Sequence, residues 1–385
     1  MTDTNHTGRD KHVVIVTATV GSGHNQVAKA IANGLASASP STRVTILDSI
    51  AFAPRWFRAC YAGGFSMVMT RFPKLFGLGF VMSDRSQSPR RSLSERSRLK
   101  IEQRATQELM NELRVAQPDL IINTHFLAPP QIARLIDKGE LGSKQWVIVT
   151  DYQIHRFWHS EGVAKWFIPT AQSSDSFSRW GIDPDRVTVS GLPIDAKWTQ
   201  PVDRDAVLDS WSIPADKKIV LLSGGTEFTC GPVVKIARKI CQDCRDVAVV
   251  VLAGRNKNLL AQLAVTPEAG NGQIFPVSFT DRVNELVSVS SLMVTKPGGV
   301  TVTECLARSV PMVLTNPVPG HERGNAEFLS TQGAAVIARG VNQIASQVRR
   351  LIDDPQALDK LAAKAGELAR PGLESIVNEI CQALE

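Results

Sequence analysis

"VVIVTATVGSGHNQVAKAI", residues 13–31, begins the first regular stretch of the chain and indicates its fold class. A run of β-branched residues leads into a glycine-flanked turn, after which Val27, Ile31 and Leu35 recur every four residues and define one helix face. A strand, a short turn and an amphipathic helix make one βα unit. Such units assemble into parallel sheets that are covered by helices.

The same alternation continues through the 385 residues in two series. It predicts strands near 13–18, 43–47, 119–123 and 145–150, then near 218–223, 247–252, 273–277, 291–295, 311–314 and 335–337. A polar, proline-containing stretch separates the series, so we predict two domains, 1–199 and 200–385. The expected fold is α/β, with two Rossmann-like doubly wound domains facing a central cleft and ligands at the carboxyl ends of the strands.

The formal net charge of +6 is unevenly distributed along the chain. Residues 1–199 hold 24 basic against 17 acidic residues, and residues 55–100 alone hold ten against two. Serine rather than aromatic residues alternates with these basic residues, and no reader motif is present, so we expect no nucleic-acid partner. The first dozen residues are polar and do not resemble a signal peptide, which favours a cytoplasmic chain.

Two short motifs are also found in metal sites. Cys241 and Cys244 form a CxxC, but there is no second pair and no nearby histidine, so two cysteines on a helix are the simpler interpretation. Asp183-Pro184-Asp185 has the spacing of a metal-binding DxD. Because this triplet stands between a helical pattern and a strand, it is better interpreted as a turn. We therefore expect no metal.

The turn Gly21-Ser22-Gly23 follows a strand and precedes a helix, as a phosphate-binding turn does. A dinucleotide fingerprint would require a third glycine where Gln26 stands, although Asp48 could act as its ribose-binding acid. A nicotinamide-dependent oxidoreductase thus remains an alternative. His24 either caps the helix or presents an imidazole to a reacting group.

Residues 294–329, "VTKPGGVTVTECLARSVPMVLTNPVPGHERGNAEFL", contain the most specific pattern in the chain. Gly298 and Gly299 follow a strand and allow phosphate to approach the amides of a helix N-terminus. Glu304, further along this helix, can accept both hydroxyls of a ribose. Glu322 and Asn325 offer an acceptor and an amide to a sugar. The alternative is a proline-rich connection with solvated charges.

The chain resembles the processive diacylglycerol glycosyltransferases and the monogalactosyldiacylglycerol synthases, which have the GT-B architecture. The resemblance covers nearly the whole chain and rests on several stretches in the right order. Besides those above, the matching stretches are "PDLIINTH" (118–125), "VTDYQIHRFW" (149–158), "VSGLPI" (189–194) and "VVVLAGRNKNL" (249–259).

The resemblance implies that the C-terminal domain binds a UDP-sugar, either UDP-glucose or UDP-galactose. The positions it assigns to the donor are Gly225, Gly254, Asn256, Phe279, Lys296, Gly298, Gly299, Thr301, Glu304, Gly320, His321, Glu322 and Asn325. Two departures leave the choice of hexose open. The glycine-rich turn is "SGGTEF" (223–228), and the pair on the uracil side is Ser278-Phe279.

The resemblance also implies an inverting transfer of a hexose to a lipid acceptor, with diacylglycerol expected. His24 is the candidate base; Asp151 could orient His24, act as the base itself or cap the next segment. Gly23, His155 and Trp158 would lie on the acceptor side, although a packed aromatic segment is equally compatible with "DYQIHRFW". A UDP-sugar sensor without turnover, or a transferase for another lipid, remains the alternative.

The segment 54–82 is rich in apolar residues but is interrupted by Arg71 and Lys74, so it is too short to span a bilayer. Together with the basic residues that follow, it predicts peripheral docking on an anionic membrane surface. The alternative is a buried helix pair beside a solvated basic loop. The residues predicted to dock are Trp56, Phe65, Phe72, Phe76, Arg90, Arg91, Arg96 and Arg98.

Overall fold

The computed structural model describes residues 10–64, 93–223, 231–315, 317 and 321–385. In these residues the strands form two parallel six-stranded sheets. The strands of the first sheet are β1 (His12–Thr17), β2 (Arg43–Asp48), β3 (Leu120–Asn123), β4 (Lys144–Ile148), β5 (Lys165–Ile168) and β6 (Val187–Val189). Their spatial order is β2-β1-β3-β4-β5-β6.

The second sheet repeats this design in the C-terminal half. Its strands are β7 (Lys218–Ser223), β8 (Val247–Gly254), β9 (Ile274–Ser278), β10 (Leu292–Thr295), β11 (Met312–Thr315) and β12 (Ala335–Ala338). The spatial order β12-β11-β10-β7-β8-β9 is again that of a doubly wound sheet. The predicted α/β class with two Rossmann-like domains is therefore confirmed.

Helices connect the strands and cover both sheets. The described helices of the first half are α1 (Gly23–Ala38), α2 (Arg55–Arg58), α3 (Leu93–Ala105), α4 (Gln107–Ala116), α5 (Pro129–Asp137) and α6 (Ser174–Arg179). Those of the second half are α7 (Arg204–Ser210), α8 (Val233–Asp243), α9 (Lys257–Ala264), α10 (Pro267–Gly270), α11 (Val283–Val289), α12 (Gly299–Ala307), α13 (His321–Thr331), α14 (Gly340–Asp353), α15 (Pro355–Leu368) and α16 (Leu373–Leu384). A π-helix (Ala59–Gly64) continues α2, and short 3-10 turns include Arg156–Trp158.

The central strands are buried on both faces, which explains their continuous apolar runs. Residues 13–16 of β1 and 247–251 of β8 are each at most 2% exposed. The sequence predicts most strands near their observed positions but misses β5. The four residues of β5, "KWFI", end directly before Pro169 and lack the run of aliphatic residues that indicates the other four-residue strands.

The last helix crosses back to the N-terminal half. α16 packs on α1, where a Cβ at Gly34 would lie 2.8 Å from Val377. Lys165 of β5 forms an ion pair with Glu379 of α16. The two sheets thus divide between residues 189 and 218, while the final helix is shared between the two halves of the molecule.

Both short motifs have local structural roles. Asp183 accepts a hydrogen bond from the amide of Asp185 at 3.0 Å and caps a 3-10 turn, as the turn interpretation predicts. Cys241 lies in the last turn of α8 and Cys244 directly follows it; both thiols are buried. Burial raises the pKa of Cys241 to about 12 and that of Cys244 to about 11, so neither is a ready thiolate.

Candidate active site

His24 lies in the first turn of α1, against the carboxyl ends of β3 and β4. Its Nδ1 is 2.7 Å from the carbonyl oxygen of Thr124 and 3.2 Å from Oγ1 of Thr150. A carbonyl oxygen can only accept, so Nδ1 carries the ring proton of the neutral imidazole. The lone pair is then on Nε2, as a general base requires.

Aromatic and imidazole rings surround His24. The His125 ring meets it edge-on at a centroid distance of 4.6 Å, and the Trp158 ring is tilted at 6.4 Å. Nε1 of Trp158 donates to Oδ2 of Asp151 at 3.3 Å. Trp158 thus contacts both residues that the sequence predicts as catalytic.

His125 is a site residue that the sequence interpretation gives no role. It is 4% exposed, and its Nδ1 accepts from the amide of Leu127 at 3.1 Å. His155 shows the same local pattern, because its Nδ1 accepts from the amide of Phe157 and caps the turn Arg156–Trp158. His125 ends the stretch "PDLIINTH", directly after β3, and that position is the signal that could have identified it.

The N-terminus of α12 faces these groups from the other domain. No described atom lies within 4 Å of where a Cβ of Gly298 would stand, so this glycine borders open space. A Cβ at Gly299 would lie 2.0 Å from the carbonyl oxygen of Thr150, and one at Gly23 would lie 3.4 Å from Val300. Gly298 therefore leaves room for a phosphate, whereas Gly299 and Gly23 permit the two domains to approach each other.

Lys296 and Glu322 form an ion pair at the mouth of the same turn. Nζ of Lys296 is 2.9 Å from Oε1 of Glu322, and the two side chains are only 14% and 12% exposed. The backbone of Lys296 belongs to the turn at Gly298, because its carbonyl accepts from the amide of Gly298 at 2.9 Å. Thr301 lies partly exposed in the first turn of α12.

Glu304 is partly exposed on α12. Burial raises the pKa of its carboxyl group to about 8; Lys197 lowers the pKa and Asp195 raises it further. Hydrogen bonds from ribose hydroxyls would stabilise the ionised form of this carboxyl group.

Asn325, the predicted sugar contact, is buried between the two domains. Its side chain is 0% exposed, its Oδ1 accepts from the amide of Tyr152 at 2.9 Å, and its Nδ2 donates to the carbonyl of Pro297 at 3.0 Å. Oδ1 and one N–H of the amide are thus bonded to backbone groups of both domains, and the predicted contact of Asn325 with the sugar stays a prediction.

The expected nucleotide side lies at the ends of β8 and β9. Gly254 has a φ of +55°, and the side chain of Asn256 caps α9 by accepting from the amide of Leu259 at 2.9 Å. Phe279 is 59% exposed, and the guanidinium carbon of Arg255 lies 3.9 Å from its ring centroid. An exposed ring beside a cation is a suitable surface for stacking a flat base.

Asp48, the acid that a dinucleotide site would use, is engaged elsewhere. Its carboxylate accepts from the amide and hydroxyl of Thr19 and from the amide of Ile50. The two bonds from Thr19 hold the loop between β1 and α1, and the bond from Ile50 closes the turn after β2. With its acceptors used this way, Asp48 is not placed as a ribose ligand.

Two family descriptions match the chain. Residues 24–194 match "Monogalactosyldiacylglycerol (MGDG) synthase", and residues 219–379 match "Glycosyltransferase family 28 C-terminal domain". The processive diacylglycerol beta-glucosyltransferase of Bacillus licheniformis is 28% identical over 374 residues, which cover 91% of this chain and 89% of that protein. The chain is a UDP-sugar-dependent glycosyltransferase, and its two halves match these two family descriptions.

Solved structures show the same fold for the glycosyltransferase. MurG of Acinetobacter baumannii aligns with a TM-score of 0.60 at 17% identity, over 97% of this chain and 99% of that one. HepE of Anabaena, solved in complex with UDP, aligns with a TM-score of 0.58 at 14% identity over the same shares. At these identities the likeness concerns the fold alone, and it confirms the GT-B architecture.

Several predicted residues of the glycosyltransferase lie outside the described residues. They are Gly225, Gly320, Phe65, Phe72, Phe76, Arg90 and Arg91, together with the side chain of His321. Of the other predicted docking residues, Trp56 and Arg96 are exposed. Arg98 instead turns inward, because its Nη1 lies 2.7 Å from Oε1 of the buried Glu102 and its guanidinium carbon lies 4.6 Å from the Phe157 ring centroid.

Across the described ranges, no group of three or more His, Cys, Asp or Glu side chains is arranged to hold a metal ion. Within the same ranges, none of the glycosyltransferase's helices has the length and apolar character needed to cross a bilayer.

Proposed function

We propose that this glycosyltransferase moves a hexose from a UDP-hexose to the free hydroxyl of diacylglycerol with inversion at the anomeric carbon. One observation carries the proposal: Thr150 lies against both halves of the site. Its hydroxyl is 3.2 Å from Nδ1 of His24, and its carbonyl oxygen would be 2.0 Å from a Cβ at Gly299. A single residue, Thr150, thus contacts both the candidate base and the helix that would bind the donor.

In the proposed reaction, Nε2 of His24 takes the proton of the acceptor hydroxyl as its oxygen attacks the anomeric carbon. The bond from that carbon to the β-phosphate oxygen breaks, and UDP leaves from the opposite face. The amides at the start of α12 and the ammonium of Lys296 stabilise the charge on the departing diphosphate. Glu304 accepts the ribose hydroxyls, and Phe279 stacks with the uracil. Protein groups supply these tasks, so we propose that no metal takes part.

The names of the relatives support the proposed sugar and acceptor. Diacylglycerol β-glucosyltransferases of Bacillus match the chain over most of its length, which favours UDP-glucose over UDP-galactose and diacylglycerol over other lipids. Those proteins are described as processive, so we propose that a second hexose can be added to the first product.

We further propose that the enzyme docks peripherally on the cytoplasmic face of the membrane through α2 and α3. Buried residues of these helices, Phe57 and Ala105, pack in one cluster. Trp56 and Ile101 are 52% and 48% exposed. Exposed basic residues on the same two helices are Arg55, Arg58, Arg96, Lys100 and Arg104. Apolar groups beside clustered cations are what an anionic lipid surface attracts.

The proposed docking surface is connected to the candidate base by a chain of ring contacts. Tyr61, just after α2, has its ring 6.4 Å from the His125 ring, which is in turn 4.6 Å from His24. A lipid that is held at α2 and α3 would therefore present its hydroxyl near the cleft. This arrangement suits an acceptor that stays in the membrane.

The function is tested by incubating the chain with radiolabelled UDP-glucose, UDP-galactose or UDP-N-acetylglucosamine and vesicles that contain diacylglycerol. We expect a labelled glycolipid with one of the two hexoses, and mass spectrometry would give the number of sugars per lipid. EDTA should leave the rate unchanged. UDP binding without a lipid product from any donor would contradict the proposal and favour a sensor.

A further inference from the structure

The loop 150–153 follows β4. It contacts the candidate base His24 and contains Asp151, the other residue predicted to be catalytic. Oγ1 of Thr150 is 3.2 Å from Nδ1 of His24. Oδ2 of Asp151 accepts from Nε1 of Trp158 at 3.3 Å. A shift of this loop would therefore move Asp151 and loosen the contact of Thr150 with His24.

Asn325 holds the loop from the opposite domain. Its side chain is 0% exposed, and its Oδ1 accepts from the amides of Tyr152 at 2.9 Å and of Gln153 at 3.5 Å. Its Nδ2 donates to the carbonyl of Pro297, the residue before Gly298, at 3.0 Å. One buried amide thus joins the loop of the acceptor domain to the glycine turn of the donor domain.

Tyr152 adds a second connection to the same helices. Its hydroxyl is 2.9 Å from Oγ1 of Thr303 on α12. Its ring stacks on Phe328 of α13, with centroids 5.3 Å apart and an interplanar angle of 24°. Phe328 stands one turn after Asn325, so this helix contacts the loop twice: Asn325 bonds to the backbone of Tyr152, and Phe328 packs on its ring.

Two glycines make this close approach possible. A Cβ at Gly299 would lie 2.0 Å from the carbonyl oxygen of Thr150, and one at Gly324 would lie 1.7 Å from Oε1 of Gln153. The carbonyl of Thr150 belongs to the backbone and cannot move without moving the loop. The shape of the donor domain is therefore fitted to this loop on both sides of Asn325.

We propose that Asn325 is a positioning residue that fixes the loop 150–153 on the donor domain, and that it sets the placement of Asp151 and His24 relative to the sugar. The inference rests on the proposed function. It is an alternative to the sequence expectation that Asn325 binds the sugar directly. Reacting atoms must meet at about 3 Å, and a misplacement of about 1 Å can cost roughly 100-fold in rate.

The test measures turnover, UDP affinity and amide exchange in Asn325→Ala. We expect kcat to fall by about 10- to 100-fold, UDP affinity by calorimetry to stay within about threefold, and amide exchange to become faster in residues 150–154. Asn33→Ala is the matched control, because Asn33 is exposed and contacts Asp195 through its amide at 3.4 Å, away from the loop. It should change none of the three readouts.

If Asn325→Ala does not fold, the variants Thr303→Val and Thr303→Ser test the fixing of the same loop through its bond to Tyr152. The valine variant removes the hydroxyl bonded to Tyr152 at nearly constant volume, whereas the serine variant keeps it. We expect kcat to fall in the first and to be restored in the second, again without loss of UDP affinity.

Three outcomes would overturn the inference. A loss of UDP-sugar affinity that accounts for the whole fall in kcat/KM would make Asn325 a donor ligand. Faster exchange in residues 150–154 with unchanged kcat would show that the loop needs no fixing, and equal kcat values in the valine and serine variants would exclude the Tyr152 bond. An absence of transfer by the wild-type chain would instead overturn the proposed function itself, and the exchange measurement would then still report whether Asn325 fixes the loop.

Discussion

At His24, the atoms around one ring nitrogen determine what the side chain can do. The carbonyl of Thr124 at 2.7 Å fixes the proton on Nδ1, which leaves Nε2 as the basic nitrogen. The imidazole ring cannot rotate by 180° about its bond to Cβ without losing this hydrogen bond. The same carbonyl would stabilise the imidazolium once the ring has taken the acceptor's proton.

We therefore expect His24→Ala to lower kcat by about two to four orders of magnitude, the usual contribution of a general base, with little change in UDP affinity. Kinetics with saturating UDP-hexose would measure the first effect and calorimetry the second. His159→Ala is a suitable control, because His159 packs against Trp180 at a centroid distance of 5.7 Å. Near-normal turnover in His24→Ala, with none in Asp151→Asn, would make Asp151 the base.

Glu304 allows a prediction of how the affinity for UDP changes with pH. We expect Glu304→Ala to weaken UDP binding on the order of 10-fold, because ribose hydroxyls lose a half-buried acceptor worth about 1 to 3 kcal/mol. The pKa of about 8 means that the carboxylate forms only as pH rises. UDP affinity should therefore increase from pH 7 to pH 9 in the wild type and stay flat in Glu304→Gln. Equal pH profiles in calorimetry would exclude Glu304 as the ribose acceptor, and the exposed Glu374→Gln serves as the control.

The position of a residue could be predicted where local spacing alone determines it. Gly298 is an example, because it stands at the start of a helix shortly after a strand. His125 and Asn325 could not be assigned in the same way. The role of His125 depends on a ring that lies 101 positions earlier in the chain, and Asn325 is bonded to Tyr152, 173 positions away. Single-sequence patterns report neighbours within a turn or a strand, not contacts made by folding.

At the scale of elements, an aliphatic run decided which strands could be predicted. β8 has eight residues in a continuous apolar run, whereas the four residues of β5, "KWFI", include one aliphatic residue besides a lysine and two aromatic residues. The docking segment shows a similar limit. The sequence groups Arg98 with the other arginines, but its position on α3 turns it toward Glu102, one helical turn later.

The proposed docking surface on α2 and α3 can be tested with substitutions in these two helices alone. We expect the triple variant Trp56→Ser, Arg96→Ser, Lys100→Ser to float less with vesicles that contain anionic lipid, because each basic residue near such a surface contributes about 1 kcal/mol. The exposed pair Arg350→Ser, Lys360→Ser removes charge from the other domain and should float like the wild type. Equal flotation of all three proteins would place docking elsewhere.

At the scale of the whole molecule, the two sheets are joined by more than the connecting chain. α16 returns to α1, and the loop after β4 meets α12 and α13. The sequence predicts the cleft because two series of βα units each bring their strand ends to one edge. It does not predict the return of α16, because an amphipathic helix fits either domain until packing at Gly34 selects one.

Two carboxyl groups, one in each domain, should make the stability of the folded chain fall as pH rises. Burial raises the pKa of Glu102 to about 7, partly offset by Arg98, and that of Glu304 to about 8, against an ordinary value of 4.5. Both folded-state values lie above the unfolded value, so the folded chain binds more protons between pH 5 and pH 8. Its free energy of unfolding therefore decreases across this range.

Glutamine does not titrate, so replacing both glutamates removes their contribution to the pH dependence of stability. We expect the melting temperature of the wild type to drop from pH 6 to pH 8.5 by more than that of Glu102→Gln, Glu304→Gln, measured by calorimetry without nucleotide. Each single variant should remove part of the difference, because the two sites lie in different domains and their effects should add. Parallel melting curves for the wild type and the double variant at every pH would show that neither carboxyl group holds its proton in the folded chain.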